Sequence, residues 1–400
     1  MKFIHTADLH LDSPFEGLKK IPDNFSKQLY KASMTAFDEM IKDAINKKVD
    51  FILIAGDLYD NPHPSVTAQL FLQKEFTKLK QFGIPVYLCL GNHDFLDLEK
   101  TKLVYPENVY VFPNKVVTKE FFADGQPVSL TSFSYGKQWV KCQTSYFPIK
   151  GSEKWHLGML HGEVSSNFEE AKYAPFSLSQ LKSKNYDYWA LGHIHKREIL
   201  SEDPWIVYSG NIQGKNIKEI GVKGYYLVEE QEGQLVPNFC PLTGIQWVET
   251  VLGFEKEDTF EQLKTKVETK LIDIKKATPS ARAFVMRIIL KAPLDFDSSL
   301  KERIIKGVLL GQVQSDMQDD HSLFLYDIAI NTVRSQQKNF WDIDTEKEAA
   351  NLVFQETTLY RLADNLVKYR FIDEHFAQPS IAKSIKNKSR AYLEEEMDGE

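Results

Sequence analysis

Five short polar motifs contain the residues of this sequence that could bind metal ions, and each motif directly follows an apolar run. They hold five of the ten histidines, together with aspartate and asparagine. The motifs are DLH at 8–10, GDLYD at 56–60, GNHD at 91–94, HG at 161–162 and GHIH at 192–195. A histidine after a single strand is more often a hydrogen-bonded turn residue, but five such motifs in one chain favour a shared site.

The donor types in these motifs suit divalent transition metals. Asp, Asn and His favour Mn, Fe, Zn or Co over all-oxygen Ca or Mg sites. Two Asp residues, one Asn and four His could surround two ions if one carboxylate bridges them. Such ions, roughly 3.5–4 Å apart, would polarise a phosphate and turn a bound water into a nucleophile for in-line attack. The neighbours His93 and Asp94 could protonate or stabilise the departing alkoxide.

The apolar runs predict the elements that must position these motifs. Runs of four to six residues, such as 51–54 and 86–90, are typical of strands buried on both faces. Helical spacing over 25–47 and 66–81 predicts crossovers between successive parallel strands. Because open α/β sheets bind ligands beyond the carboxyl ends of their strands, we expect the motifs to converge in space.

The order and spacing of the five motifs resemble those of the calcineurin-like metallophosphoesterases, over about residues 1–230. Within that superfamily the segments TADLHLDSPF, GDLYDNPHPS and YSGN are similar to the SbcD-type DNA repair exonucleases, most closely the YhaO branch. The resemblance implies an α/β fold, a two-sheet sandwich flanked by helices, followed by a small α+β capping domain and a C-terminal helical segment. It also implies a metal-dependent DNA exonuclease.

The resemblance assigns a role to each motif residue. Asp8, His10 and His195 would bind the first metal ion, Asp57 would bridge, and Asn92, His161 and His193 would bind the second. His93 would be a catalytic residue that contacts the scissile phosphate or the leaving group, oriented by Asp94. The cofactors would be two divalent metal ions, which we expect to be manganese. One segment departs from the family pattern: Ser209-Gly210-Asn211 stands where relatives usually have a PGS-like triplet, in the loop expected beside the second metal ion.

Some polar residues near the motifs have two interpretations. Asp60 could be a turn or cap residue, or it could support the metal site. Basic and aromatic residues that could hold a phosphate backbone and stack on unpaired bases are Tyr135, Lys137, Trp139, Lys141, Lys196 and Arg197. The same composition is also typical of a solvated loop.

The rest of the chain predicts two further units. Strand-like segments between 205 and 240 would complete the second sheet of the sandwich. We expect a catalytic domain over 1–247, a capping domain of alternating helices and strands over 248–335, and a helical, partner-binding segment with a charged tail over 336–400.

The final segment has a broad apolar helical face from Leu352 to Tyr369. It could simply pack on the capping domain. The resemblance implies instead that it docks on a coiled-coil ATPase of the SbcC type, a YhaN-like partner. DNA is the other expected partner, and the chain could also form a homodimer.

Composition excludes several function classes. The 42% hydrophobic and 26% charged content is that of a globular protein, and the net charge of -7 argues against coating nucleic acid through bulk basicity. The three cysteines are too few and too widely spaced for a disulfide framework or a zinc site. We expect a cytoplasmic protein without a membrane span or signal peptide.

A phosphodiesterase or phosphatase acting on a nucleotide or other small ester would use the same metal motifs, so that alternative stays open.

Overall fold

The fold was obtained as a computed structural model that describes residues 1–332, apart from 14–17, 19–20, 97–104, 169, 279–280 and 294–295. The chain divides into two units, residues 1–333 and 334–400. The predicted partner helix Leu352–Tyr369 and the predicted 336–400 segment lie outside the described residues. Among the described residues, none of the helices combines the length and apolar character that a membrane span requires.

The described elements alternate between strands and helices in the first half and again near the end. The strands are β1 (Lys2–Thr6), β2 (Phe51–Ala55), β3 (Val86–Cys89), β4 (Val109–Val111), β5 (Val117–Ala123), β6 (Gln126–Ser132), β7 (Trp155–His161), β8 (Tyr188–Gly192), β9 (Glu198–Glu202), β10 (Trp205–Tyr208), β11 (Gly224–Gln231), β12 (Gln234–Pro241), β13 (Ile245–Gly253), β14 (Ala283–Ala292) and β15 (Leu323–Thr332). The helices are α1 (Asp23–Asn46), α2 (Val66–Gln81), α3 (Leu178–Lys182), α4 (Phe260–Ala277), α5 (Ser298–Ile305) and α6 (Val308–Asp316).

Two six-stranded mixed sheets form the predicted sandwich. The first has the order β12-β11-β1-β2-β3-β4 and the second β5-β6-β7-β8-β10-β9. Strands β1 to β4 are parallel, and so are β6, β7, β8 and β10. Between the sheets lies an apolar core in which Phe3 stacks on Phe51 at 4.7 Å and meets the edge of Tyr188. Helices α1 and α2 cover the other face of the first sheet.

One strand assignment from the sequence is wrong. The strands between 205 and 240 were expected to complete the second sheet, yet of the three strands in this range only β10 does so. Strand β11 instead pairs antiparallel with β1, and β12 pairs with β11, so this hairpin extends the first sheet. The reason is that β1 leaves a free edge beside Lys2 to His5, which β11 fills.

A third sheet, β13-β14-β15, is parallel throughout and packs on α4, α5 and α6. Its opposite face contacts α1 through Phe25 and Leu29. The helix and strand alternation predicted after residue 248 is therefore present. Strand β13 starts at Ile245, so the predicted boundary after residue 247 falls inside this strand. The division into catalytic and capping domains stays a prediction.

Candidate metal centre

All seven predicted metal ligands lie at the carboxyl ends of strands in the two main sheets. In the first sheet Asp8 and His10 follow β1, Asp57 follows β2 and Asn92 follows β3; in the second His161 ends β7, and His193 and His195 follow β8. The paired parallel strands present these ends at one edge of the sandwich. The arrangement is the one that the motif spacing predicts.

Asp8, His10 and His195 form one group of donors, each offering a ligand atom within 4.8 Å of the others. The Nε2 atoms of the two histidines are 3.0 Å apart. Their Nδ1 atoms face away from the group: His10 Nδ1 lies 3.0 Å from Asp60 Oδ1, and His195 Nδ1 donates to Glu219 Oε1 at 2.8 Å. A carboxylate on the far nitrogen is the usual support for a metal-binding imidazole.

The second group surrounds Asn92. Its Oδ1 lies 2.9 Å from His161 Nε2 and 2.9 Å from His193 Nδ1. Nδ1 of His161 donates to the carbonyl oxygen of Ala55 at 2.9 Å, which leaves Nε2 on the side of the centre. Asp57 lies between the two groups, with Oδ2 at 3.3 Å from His161 Nε2 and 3.8 Å from His10 Nε2. Its position is the one expected of a bridging carboxylate.

The backbone is bent sharply where it carries these ligands. Asp8, His10, Asp57 and His193 all have positive φ, at 53°, 42°, 52° and 98°. Left-handed backbone at non-glycine residues costs free energy and is concentrated at functional sites. Gly91 is required by close approach, because an added Cβ would lie 2.2 Å from Asp57 Oδ1.

Burial and charge set the protonation of the centre. Asp57 and His161 are both buried. Burial alone would raise the pKa of Asp57, but the adjacent His161 imidazole lowers it below its usual value. Burial lowers the pKa of His193 to about 3, with the charge of His161 acting in the same direction. An ionised carboxylate at Asp57 and a neutral imidazole at His193 suit metal binding. His161 differs, because burial alone would lower its pKa but the charge of Asp57 raises that pKa to about 9, so a metal ion would bind there in exchange for a proton.

The donor set fits two divalent ions. The ligand atoms are nitrogen and oxygen, two of the imidazoles are held by carboxylates on their far nitrogens, and one carboxylate lies between the groups. Such ligands suit borderline metal ions. The identity of the metal is not set by this geometry, so manganese stays a prediction.

His93 lies beside the centre, but the prediction that Asp94 orients it is wrong. The ring centroids of His93 and His10 are 5.0 Å apart. Asp94 does not hold the His93 ring, because its Oδ1 accepts from the backbone of Gly91 at 2.7 Å and its Oδ2 from that of Leu58 at 2.7 Å. Asp94 therefore fastens the loops that carry Asn92 and Asp57.

Asp60 is the residue that orients His93. The carbonyl oxygen of Asp60 accepts from His93 Nδ1 at 3.1 Å, while its carboxylate faces His10. This geometry decides between the two interpretations of Asp60 in favour of support for the site. Lys215, almost fully buried, adds a positive charge 3.6 Å from the same carboxylate.

Glu219 and Lys215 were missed by sequence reasoning. They lie in the connection between β10 and β11, after the SGN triplet. That triplet was expected beside the second metal ion, but it contacts the first group of ligands. Asn211 donates from its backbone to the His195 carbonyl oxygen at 3.3 Å and from its side chain to Glu219 at 2.8 Å. The loop therefore lies beside the first group of ligands and not the second. Only the departure of the SGN triplet from the family pattern marked this segment.

The predicted DNA contacts divide into buried and exposed residues. The prediction that Tyr135 stacks on unpaired bases is wrong. Its side chain is fully buried, and its hydroxyl donates to the His161 carbonyl oxygen at 3.0 Å. The other five are at least partly accessible, and they are Lys137, Trp139, Lys141, Lys196 and Arg197.

Sequence and structure comparisons show which known proteins the chain is similar to. The calcineurin-like phosphoesterase family matches residues 1–197. The uncharacterised metallophosphoesterase YhaO of Bacillus subtilis (strain 168) is 40% identical over 281 residues, which are 66% of this chain and 69% of that protein. The crystal structure of a dimetal phosphatase from Danio rerio, 12% identical, aligns with 60% of this chain and 95% of its own at a TM-score of 0.38. On its motifs, its metal-binding geometry and its sequence relatives, the chain belongs to the calcineurin-like metallophosphoesterase family.

Proposed function

We propose that this metallophosphoesterase is a DNA exonuclease that acts in DNA repair with a coiled-coil ATPase partner. The observation that carries the DNA part is that exposed basic and aromatic side chains lie near two different ligands of the metal centre, one group connected to His193 and the other following His195. A nucleic-acid strand crossing the centre would meet both groups. Phosphate contacts and base stacking are the interactions that hold single strands without sequence preference.

On the His193 side, an exposed aromatic segment is connected to the centre. Trp139 is 53% exposed, and the Lys172 ammonium lies 4.8 Å from its ring centroid. The neighbouring Val140 forms a parallel bridge with Tyr173, whose ring lies 4.6 Å from that of His193. A base stacked on Trp139 would therefore lie on the same loop pair that contacts a metal ligand.

On the His195 side, two exposed cations follow the metal ligand directly. Lys196 and Arg197 precede β9. The Arg197 guanidinium stacks on Phe239 at 3.5 Å from the ring centroid, which fixes its plane. A planar guanidinium presents paired donors to phosphate oxygens.

Different residues of the centre would have different roles in hydrolysis. Two bound divalent ions would polarise the phosphate and provide a hydroxide nucleophile at neutral pH. The seven ligands would hold these ions at the carboxyl ends of the strands of both sheets. His93, held through Nδ1 by the Asp60 carbonyl oxygen, would give a proton to the departing alkoxide from its other ring nitrogen.

The proposal is tested with the manganese-loaded protein on single-stranded DNA, double-stranded DNA, cyclic nucleotides and bis-p-nitrophenyl phosphate. We expect progressive release of nucleotides from DNA ends. Changing Lys137 and Lys141 to Gln should weaken DNA binding and its salt dependence while the small diester is still hydrolysed. Changing Lys74 and Lys80 to Gln on α2 removes equal charge and serves as the control.

Two results would contradict the proposal. Hydrolysis of cyclic nucleotides or the small diester without cleavage of DNA would favour the alternative, an enzyme for small phosphate esters. Equal losses on DNA and on the small diester in the Lys137 and Lys141 variant would indicate damage to the metal centre instead of lost DNA contact.

The ATPase partner is proposed from the resemblance to SbcD-type nucleases and from the apolar face that a helix over 352–369 would have. A helix of this kind suits docking in an apolar groove. The test is capture of the coiled-coil ATPase by the full chain and by a truncated chain that ends at Asn331. Undiminished binding by the truncated chain would reject this helix as the docking site.

A further inference from the structure

We infer that a basic cavity beside His195 binds a second phosphate group of the substrate, next to the phosphate that is cleaved. This cavity, of about 490 Å³, lies between the segment after β8 and the connection from β10 to β11. It is called the basic cavity here because its walls include Lys196, Arg197, Lys218 and Lys223. The inference deepens the proposed function and rests on it for the nucleotide nature of the ligand.

The basic cavity and the metal centre share a wall. His195 lines the cavity, and its Nε2 lies 3.0 Å from His10 Nε2 in the first ligand group. Gly210 completes the wall with φ of +71°, and an added Cβ there would lie 2.8 Å from the Arg197 backbone nitrogen and 2.9 Å from the His195 carbonyl oxygen. The cavity therefore adjoins the first ligand group at His195, and the proposed ligand, bound at the metal centre, would extend into it.

The charge of the basic cavity is not neutralised by its own carboxylate. Glu219 also lines the cavity, but it accepts from His195 Nδ1 at 2.8 Å, from Asn211 Nδ2 at 2.8 Å and from the backbone of Lys215 at 2.9 Å. Lys223 is oriented by donation to the His195 carbonyl oxygen at 3.1 Å, a neutral acceptor. Four cations thus face one carboxylate that is already engaged, and an anion is the ligand that complements them.

The remaining walls suit the sugar or base attached to that phosphate. Arg197 is held flat against Phe239, and the exposed side chains of Ile220 and Val222 form an apolar rim. Charged donors with an apolar rim match a nucleotide better than a free inorganic anion. The volume is within the roughly 300–1,000 Å³ range of small-molecule sites.

The experiment compares dinucleotides on the metal-loaded full chain. The probes are thymidylyl-thymidine without a terminal phosphate, with a 5′ phosphate and with a 3′ phosphate. We expect a terminal phosphate at one end to lower KM about tenfold or more, because hydrogen bonds to an ionised phosphate are roughly twice as strong as those between neutral groups. Lys218→Gln should reduce this gain towards onefold.

The gain is a ratio of two KM values from one variant, so a loss common to both substrates cancels. Lys218 is exposed, so its substitution should leave the fold intact. Changing Lys137 and Lys141 to Gln, which do not line the basic cavity, removes more charge and should keep the gain. Calorimetric titration with thymidine 3′,5′-bisphosphate and thymidine 5′-monophosphate gives a binding readout that is independent of turnover, with the bisphosphate bound more tightly only while Lys218 is present.

Three results would overturn the inference. The first is no gain from a terminal phosphate at either end in the unmodified protein. The second is an equal loss of the gain in the Lys218 variant and in the Lys137 and Lys141 variant, which would indicate only general attraction of anions. The third is weaker binding of inorganic phosphate in Lys218→Gln with unchanged dinucleotide kinetics. If DNA is not cleaved but the gain persists on dinucleotides, the proposed function fails and the basic cavity stands.

Discussion

The hydrogen bond between His195 and Glu219 determines which nitrogen of the imidazole can bind a metal ion. Nδ1 must carry the proton, because it donates to the Glu219 carboxylate at 2.8 Å, so the lone pair is on Nε2. Burial would raise the pKa of Glu219, but the hydrogen bond to His195 lowers it to about 2. The carboxylate therefore stays ionised at any pH at which the enzyme could work.

Glu219→Gln should lower the affinity of the first metal site about 10- to 100-fold, as loss of such an outer carboxylate does elsewhere. The reason is that an amide oxygen accepts the same proton without the negative charge. Metal titration against a competing chelator measures the effect. Glu202→Gln, at an exposed position on β9, is the control, and equal affinities in the two variants would contradict the assignment.

Asp57→Ala should abolish hydrolysis of both DNA and bis-p-nitrophenyl phosphate. The substitution removes a carboxylate that lies between the two ligand groups and would bridge the ions. Initial rates and metal content by elemental analysis measure the result, and circular dichroism checks the fold. A metal-loaded variant that hydrolyses at the rate of the unmodified protein would show that the centre is misassigned.

His93→Ala should retain both metal ions and lose turnover by about 10²-fold or more, as expected for an acid-base group. Its ring lies next to that of His10, but its Nδ1 is held by the Asp60 carbonyl oxygen, and we do not expect it to be a ligand. Elemental analysis and kcat separate binding from catalysis. Loss of one ion from the variant would make His93 a ligand.

His5 should make the free energy of unfolding depend on pH through a group outside the metal centre. Its Nε2 donates to the Leu191 carbonyl oxygen at 3.2 Å, and its Nδ1 accepts from the Tyr188 hydroxyl at 2.9 Å. The neutral ring is thus satisfied on both sides. Burial lowers the pKa of His5 to about 3 from 6.5.

Because the folded pKa is depressed, the unfolded chain binds more protons, and the contribution of His5 is present above pH 6.5 and decreases as the pH falls towards 3. Between pH 6.5 and pH 5 the loss is roughly 2 kcal/mol. Denaturant unfolding of the unmodified protein and His5→Gln at both pH values measures it. Parallel pH profiles in the two proteins would refute the prediction.

The sequence predicts that the seven candidate ligands converge, but it does not identify the residues that support them. Asp8, Asp57 and His161 are predictable because each follows a run whose apolar composition identifies a buried strand. Glu219 could not be found in this way, because its link to His195 crosses 24 residues and depends on the path of the chain after β10.

The sequence also did not predict which strands pair or which aromatic side chains are buried. The pairing of β11 with β1 joins residues more than two hundred positions apart, and neither segment contains a local signal for it. Tyr135 and Trp139 are both aromatic residues in the same short segment of the sequence. Tyr135 is buried and donates its hydroxyl to the His161 carbonyl oxygen, whereas the ring of Trp139 is exposed. Composition identifies an aromatic cluster but not which face each ring occupies.

The distribution of ligands over both sheets has a mechanical consequence. Asp8, His10, Asp57 and Asn92 belong to the first sheet, and His161, His193 and His195 to the second. Ions bound by residues of both sheets would cross-link the two sheets at one edge. The backbone at this edge is strained, because several of the ligands have positive φ. Removing the ions with a chelator should therefore lower Tm and speed amide hydrogen exchange first at the ends of β7 and β8 nearest the metal centre, while the opposite ends of the same strands keep their protection.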